Sequence, residues 1–263
     1  MRIVLIGTGN VATILGRKIN SVGHEMVQVY GRTGARAKLL ADQWQAAYTT
    51  SMEWIDKSAD LYILAVADAA LPAVAATLRV KDKLVVHTAG SVPSDVLKGC
   101  STRYGILYPL QSLRWEMQAL PEIPFLVDAN TEDDQLLVRD FAISLSNRVS
   151  IANDEQRLQL HVAAVMVSNF TNHLYTLAEK YCKAQHVDFS LLHPLILQVA
   201  ERLQVMSPHE AQTGPAIRQD APTIKKHLEL LEAHGEMREL YEWFTKSIQR
   251  ESSIDNRSRQ GAG

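Results

Sequence analysis

Two groups of polar residues interrupt an apolar, helix-patterned C-terminal half. His161, Ser168, Asn169 and Asn172 lie in DEQRLQLHVAAVMVSNFTNHLYTLAEKYCKA (154–184), whose apolar residues point in every direction on a helical wheel. A helix apolar all round is a buried one, and His161, Ser168 and Asn172 fall within about forty degrees of each other at helical spacing, with Asn169 adjacent. Buried polar groups need partners or water, so this stripe forms either a structural network or the wall of a wet cleft. An imidazole titrates near neutral pH, which makes His161 the candidate general acid or base, with Asn169 to orient a substrate. The second group is AQTGPAIRQDAPTIKKH (211–227). Thr213-Gly214-Pro215 makes a turn, and Asp220 is placed to cap the next helix, with Pro222 in its first turn. The segment is either a helix connection with a local Arg218–Asp220 pair or an anion-recognising corner where Arg218 and Thr213 hold a carboxylate.

The opening residues, MRIVLIGTGNVATILG, suggest what these groups could serve. Gly7, Gly9 and Ala12 form G-x-G-x-x-A between a predicted strand and a predicted helix. The first glycine permits a tight turn, the second lets backbone approach a pyrophosphate, and the small third residue lets helix and strand pack closely. Thr8, Asn10 and Val11 complete the turn, and the helix N-terminus offers free N–H groups to phosphate. An ordinary strand–helix turn would use the same small residues. The next strand, MVQVYG, ends in Arg32 and Thr33, with Arg36 beyond, and carries no acid to hold a ribose 2′-hydroxyl. Arginine and a hydroxyl suit a 2′-phosphate, so NADP is the expected cofactor, a solvated basic loop being the plainer reading. Two further strand ends are expected to line it: Ala65, Val66 and Ala67 before Asp68, and Thr88, Ala89 and Gly90 of HTAGS. Ser91 and Gln111 are the candidate substrate contacts of this half.

Around these loops the sequence alternates apolar strand-like runs (RIVLI, MVQVY, LYILAV, KLVVHT, YGILYP, FLVDA) with helix-like stretches near 10–22, 33–43 and 68–78, the last with Asp68 at its N-cap. Apolar runs of this kind suit strands buried on both faces. The pattern predicts an α/β fold, a doubly wound Rossmann-like parallel sheet, followed by an all-α C-terminal domain. The expected boundaries are 1–150 for the dinucleotide-binding domain, 151–251 for a helical substrate and dimerisation domain, and 252–263 for a disordered tail. A net charge of −2 gives no footprint for nucleic acid, and no apolar run is long enough to span a membrane. Cys100 and Cys182 stand far apart, which reads as a reducing, cytoplasmic setting. The histidines show no metal-ligand spacing, and no GxSxG elbow supports a hydrolase.

GTGNVA, YGRT, HTAGS and YPLQS, followed by HVAAVMVSNF and TGPAIRQD, resemble a bacterial family of NADP oxidoreductases. Its members join a Rossmann-like domain to a C-terminal helical domain of unknown function. The family is distantly similar to pyrroline-5-carboxylate reductases and to the 6-phosphogluconate and β-hydroxyacid dehydrogenases. The resemblance covers residue 2 to about 250. It implies NADP at the glycine-rich turn, substrate between the domains, and a homodimer formed through the helical half. Some relatives carry lysine and asparagine on the helix after the sheet; here His161 and Asn169 stand nearest those positions. The expected activity is hydride transfer between NADP(H) and a small carbonyl, imine or hydroxy compound. A non-catalytic NADP(H)-binding sensor or scaffold with a helical dimerisation domain is the alternative.

Overall fold

The computed structural model describes residues 1–260, with side chains through Ser253. Contacts divide the chain into two compact units, Met1–Asn169 and a second beginning at Phe170. In the first unit β1 (Arg2–Ile6), α1 (Asn10–Ser21), β2 (Glu25–Tyr30), α2 (Gly34–Gln43), β3 (Ala47–Thr49), β4 (Leu61–Leu64), α3 (Leu71–Thr77), β5 (Lys81–His87), β6 (Ser101–Pro109), β7 (Phe125–Ala129), α4 (Glu132–Leu145), β8 (Val149–Ile151) and α5 (Asp154–Ala164) follow in order. Among the described residues eight strands form one sheet in the order β3-β2-β1-β4-β5-β6-β7-β8. β3 to β6 are mutually parallel in that order, β7 runs antiparallel to β6, and β8 is parallel to β7.

The unbroken apolar runs of the strands reflect burial on both faces. Ile3 and Leu5 of β1 enter a core with Ile14, Leu15 and Ile19 of α1 and Leu40 of α2. Val4 and Ile6 enter the opposite core with Tyr62, Leu71 and Ala75. Alternate residues along a strand point to opposite faces, so one strand feeds both cores. The chain leaves β1 toward β2 and β3 on one side, while β4 to β6 lie on the other. The carboxyl ends of β1 and β4 therefore meet at the point where strand order reverses, the position at which such sheets bind ligands.

The first unit extends past the expected boundary at 150 because α5 is bound to the loop after β5. Asp154 accepts hydrogen bonds from the Ser94 backbone N–H at 3.1 and 3.2 Å, and Arg157 donates to the Val92 carbonyl at 2.6 Å. A capping box between Asn153 and Gln156 starts α5 sharply.

The single predicted helix over 154–184 is three pieces: α5, a π-helical turn at Val165–Phe170, and α6 (Thr171–Ala184). Its apolar side chains are not buried as expected. Val162, Met166, Val167 and Phe170 are exposed, while Leu177 is buried. The second unit continues with α7 (His193–Arg202), α8 (Ala221–Leu230) and α9 (Gly235–Gln260). α9 runs on through residues 252–260, where a disordered tail was expected; residues 261–263 lie outside the described residues.

Candidate functional site

The first cleft, ≈390 Å³, opens beside the switch point and is lined by Gly7, Thr8, Gly9, Arg32, Thr33, Arg36, Ala65, Val66 and Ala67 among others. Gly7 sits at φ +132°, in the left-handed region, and a Cβ there would overlap the Ala65 carbonyl. A Cβ at Gly9 would meet nothing within 4 Å, so the turn leaves open space on that side. Gly9 is the N-cap of α1 and offers no side-chain hydrogen bond to the first turn. The free N–H groups and positive dipole end of α1 thus face a groove that side chains leave clear, which fits a pyrophosphate.

At the end of β2, Arg32 and Thr33 are exposed at the cleft. Thr33 caps α2 only through its backbone and makes no side-chain capping bond. Arg36 is already engaged: its Nε donates to the Thr8 carbonyl at 2.6 Å, and its guanidinium lies 5.6 Å from the Trp115 ring centroid. Arg36 thus braces the glycine turn, while among the described residues no hydrogen bond or ion pair engages the Arg32 guanidinium.

A second cleft, ≈700 Å³, begins on the other side of the turn. Asn10, Val11, Asp68, Thr88, Gly90, Tyr108, Gln111, His161, Ser168 and Asn169 help to line it, and every lining residue belongs to the first unit. His161 and Asn169, predicted as the catalytic pair, are brought together here with the strand-end loops. Asn172, the third member of the predicted stripe, is not part of the lining. The π turn breaks the 100° spacing on which that stripe was drawn, and such turns recur at functional sites.

At the centre of this cleft Tyr108 Oη lies 2.8 Å from His161 Nδ1, the two rings edge to face with centroids 5.9 Å apart. Gly90 packs against the pair. A Cβ at residue 90 would stand 2.7 Å from His161 Nδ1 and 3.1 Å from Tyr108 Cε2, so no larger residue fits without moving the imidazole. Burial first, and then the negative charge of Asp68, raise the Tyr108 pKa, while Arg157 opposes the shift. The phenol is therefore protonated across the physiological range.

Several predicted contacts have other partners. Gln111 borders the cleft, yet its Nε2 donates to the Glu122 carbonyl at 3.2 Å and its Oε1 accepts from the Ser112 N–H at 3.0 Å. Its amide holds the β6–β7 loop. Ser91 donates to Asp68 Oδ2 at 2.6 Å, so it supports Asp68, which lines the cleft, and is not itself among the lining residues. Asp68 opens a short 3₁₀ turn and does not cap α3, whose N-cap is Ala70. Ala89 is buried and its N–H donates to His87 Nδ1 at 3.1 Å. Thr213 and Arg218 lie exposed in the second unit, in the connection between α7 and α8. Asp220 caps α8 as expected, accepting from the Thr223 hydroxyl at 2.8 Å and from the Thr223 N–H, and these bonds, the hydroxyl's first, hold its carboxyl below the usual range.

Two buried residues, His87 and Arg157, bond to the loop after β5. His87 is fully buried, with Nδ1 accepting from Ala89 and Nε2 3.4 Å from the Pro93 carbonyl, which specifies the neutral Nε2–H tautomer. Burial, then the nearby Arg157 charge, push its pKa down to about 4. Arg157 is 1% exposed. Its Nη1 sits 2.8 Å from Asp154 Oδ1 as an ion pair outside hydrogen-bonding angles, and its Nε has no hydrogen-bond partner. Tyr108, His87 and Arg157 were not singled out as site residues from sequence. Tyrosine in an apolar strand reads as core, and its partner lies 53 residues further along.

None of the curated proteins matches the chain. A pyrroline-5-carboxylate reductase from Streptococcus pyogenes shares the fold, with 16% identity over 95% of this chain and 98% of that one, at TM-score 0.62. So does an imine reductase from Myxococcus stipitatus in complex with NADP+, 16% identical over 98% and 95% of the two chains, at TM-score 0.60. Residues 2–90 match the family "NADP oxidoreductase coenzyme F420-dependent", and residues 123–248 match a domain of unknown function, DUF2520. The crystal structure of a "putative NADP oxidoreductase" from Bacteroides fragilis is 40% identical over 95% of this chain and 98% of its own, at TM-score 0.87. The chain belongs with that protein to the family in which an NADP oxidoreductase domain is followed by DUF2520.

Proposed function

We propose that this protein is an NADP-dependent oxidoreductase acting on a small carbonyl, imine or hydroxy compound bound at the Tyr108–His161 cleft. The observation that carries the reading is the pairing of two clefts across one glycine turn. One presents the uncapped end of α1 with Arg32 and Thr33, the other a histidine and a tyrosine in hydrogen-bond contact. When bound, NADPH supplies the hydride. Gly7 to Val11 would hold the pyrophosphate, and Arg32 with Thr33 the 2′-phosphate. Ala65 to Ala67, Thr88 and Gly90 are small enough to leave the nicotinamide side clear. His161 exchanges the proton at the substrate heteroatom, Asn169 orients that atom, and the open cleft admits water for reprotonation. A non-catalytic sensor would use the first cleft alone; the Tyr108–His161 contact favours the enzyme.

The same reading includes a homodimer formed through the second unit, supported by its exposed apolar side chains, and a cytoplasmic location, supported by two unpaired buried cysteines. A screen of small carbonyls, imines and alcohols, followed by nicotinamide absorbance, tests the activity. The expected result is turnover that His161→Ala lowers by about 10²-fold or more. Full turnover by that variant contradicts the assigned role of His161.

A further inference from the structure

The histidine of the cleft is usable only in the tautomer its partner allows. His161 Nδ1 is 2.8 Å from Tyr108 Oη, and Nε2 makes no hydrogen bond among the described residues. The phenol has no other hydrogen-bond partner there, while Asp68 and Arg157 act on it through charge alone. A hydroxyl that keeps its proton places it on an acceptor, and Nδ1, in the Nε2–H tautomer, is the protein acceptor in reach.

We infer that Tyr108 is a positioning residue that donates its hydroxyl proton to His161 Nδ1, so that the imidazole stands neutral and offers Nε2–H to the substrate heteroatom. This rests on the hydride-transfer reading of the cleft and specifies how its proton is delivered. Before reaction, Nε2–H polarises the C=O or C=N bond by hydrogen bonding. As hydride adds to the carbon, the heteroatom takes the Nε2 proton, Nδ1 takes the phenolic proton, and the C=O or C=N π bond becomes C–OH or C–NH. Nδ1 then returns its proton to the phenolate while water entering the open cleft delivers one proton to Nε2, which restores the starting tautomer. One hydride and one proton are consumed, and the dyad ends unchanged.

The arrangement is held from both sides. Gly90 leaves no room for the imidazole to slide toward the β5 loop. One and two turns earlier on α5, the Arg157 and Asp154 contacts anchor the helix to that loop. Among the described residues a second edge-to-face pair of the same kind, Tyr241 Oη and His227 Nδ1 at 2.8 Å, joins α8 and α9. It provides an internal reference: the same contact without a glycine wedged beneath it.

Imidazole nitrogen NMR on histidine-labelled, ligand-free protein tests the inference without any substrate. His161→Asn assigns the His161 signals, and Tyr108→Phe removes the donor. The expected result is a wild-type His161 with Nε2 protonated and Nδ1 displaced upfield as an accepting nitrogen, the displacement vanishing in Tyr108→Phe. A proton found on Nδ1 of neutral wild-type His161, or an Nδ1 signal unchanged by Tyr108→Phe, overturns it. If Tyr108→Phe does not fold, the wild-type Nδ1 signal alone decides. Coenzyme titration of Tyr108→Phe separates this from the broader reading. Unaltered NADPH affinity with an altered Nδ1 signal supports the dyad, whereas an absence of NADPH binding in wild type defeats the hydride-transfer reading first.

Discussion

The two units of this chain solve the burial problem differently. In the first, β1 alone places four apolar side chains at 0% exposure, and both faces of the sheet are covered by helices. In the second, the buried apolar residues among those described are Leu177, Cys182, Ala216 and Leu231, while Leu191 at 75% and Val205 at 81% stand in the open. Apolar exposure on this scale supports the proposed dimer through the second unit. The contrast is that the first unit buries its apolar side chains within its own fold, whereas the second leaves most of its own in the open. The two tyrosine–histidine pairs repeat the contrast at small scale: Tyr108–His161 faces a cleft, while Tyr241–His227 ties two helices together.

The largest expected effect strikes the second unit. Leu195 and Val199 are exposed one turn apart on α7. The double substitution Leu195→Glu/Val199→Glu is expected to weaken self-association roughly 10³-fold, from about 2 kcal/mol for each apolar side chain no longer buried. Sedimentation velocity across a concentration series reads this; a monomer already present in wild type at every concentration removes the dimer from the account.

Next comes the anchor of α5 in the first unit. Asp154→Ala leaves the buried Arg157 cation without its ion-pair partner and is expected to cost about 3–5 kcal/mol in denaturant unfolding. A loss below about 1 kcal/mol would show that α5 is held by apolar packing alone.

His87 gives the pH arm of the comparison. Its folded pKa, about 4, lies below its unfolded value of 6.5, so the unfolded chain takes up the proton first as pH falls. The stabilising contribution is fully present above pH 6.5 and is lost as pH falls toward 4, amounting to about 3 kcal/mol. His87→Gln should flatten that part of the stability-against-pH curve. A curve with the same slope in wild type and variant contradicts the buried neutral imidazole.

The smallest effect is a matter of selectivity. Arg32→Ala should weaken NADPH by about 2 kcal/mol through loss of charge-assisted hydrogen bonds, and leave NADH nearly unchanged. An equal loss for both coenzymes would place Arg32 on the shared part of the dinucleotide.

What was legible in the sequence follows from where each signal resides. β1, β2, β4 and β5 could be read because two-sided burial writes an apolar residue at nearly every position. β3 and β8 could not: AYT and VSI are three residues each, flank the sheet, and are largely exposed. The glycine turn was legible because Gly7 needs a conformation that other residues rarely adopt. The cleft was only half legible. His161 and Asn169 carried a pattern along one helix, but the π turn that turns Asn169 into the lining and Asn172 out of it leaves no mark in residue spacing. Tyr108 meets His161 across the fold, and Gly90 is small because those two rings converge on it. Gln111 and Ser91 looked free from sequence, and lost that freedom to Glu122, Ser112 and Asp68.

The central claim is that the amino end of α1 receives a 2′-phosphorylated dinucleotide. Calorimetric titration of the purified protein with NADPH and with NADH at one fixed salt concentration tests it most directly. One NADPH per chain is expected, bound at least about tenfold more tightly than NADH. No heat from either coenzyme, or NADH bound as tightly as NADPH, contradicts it.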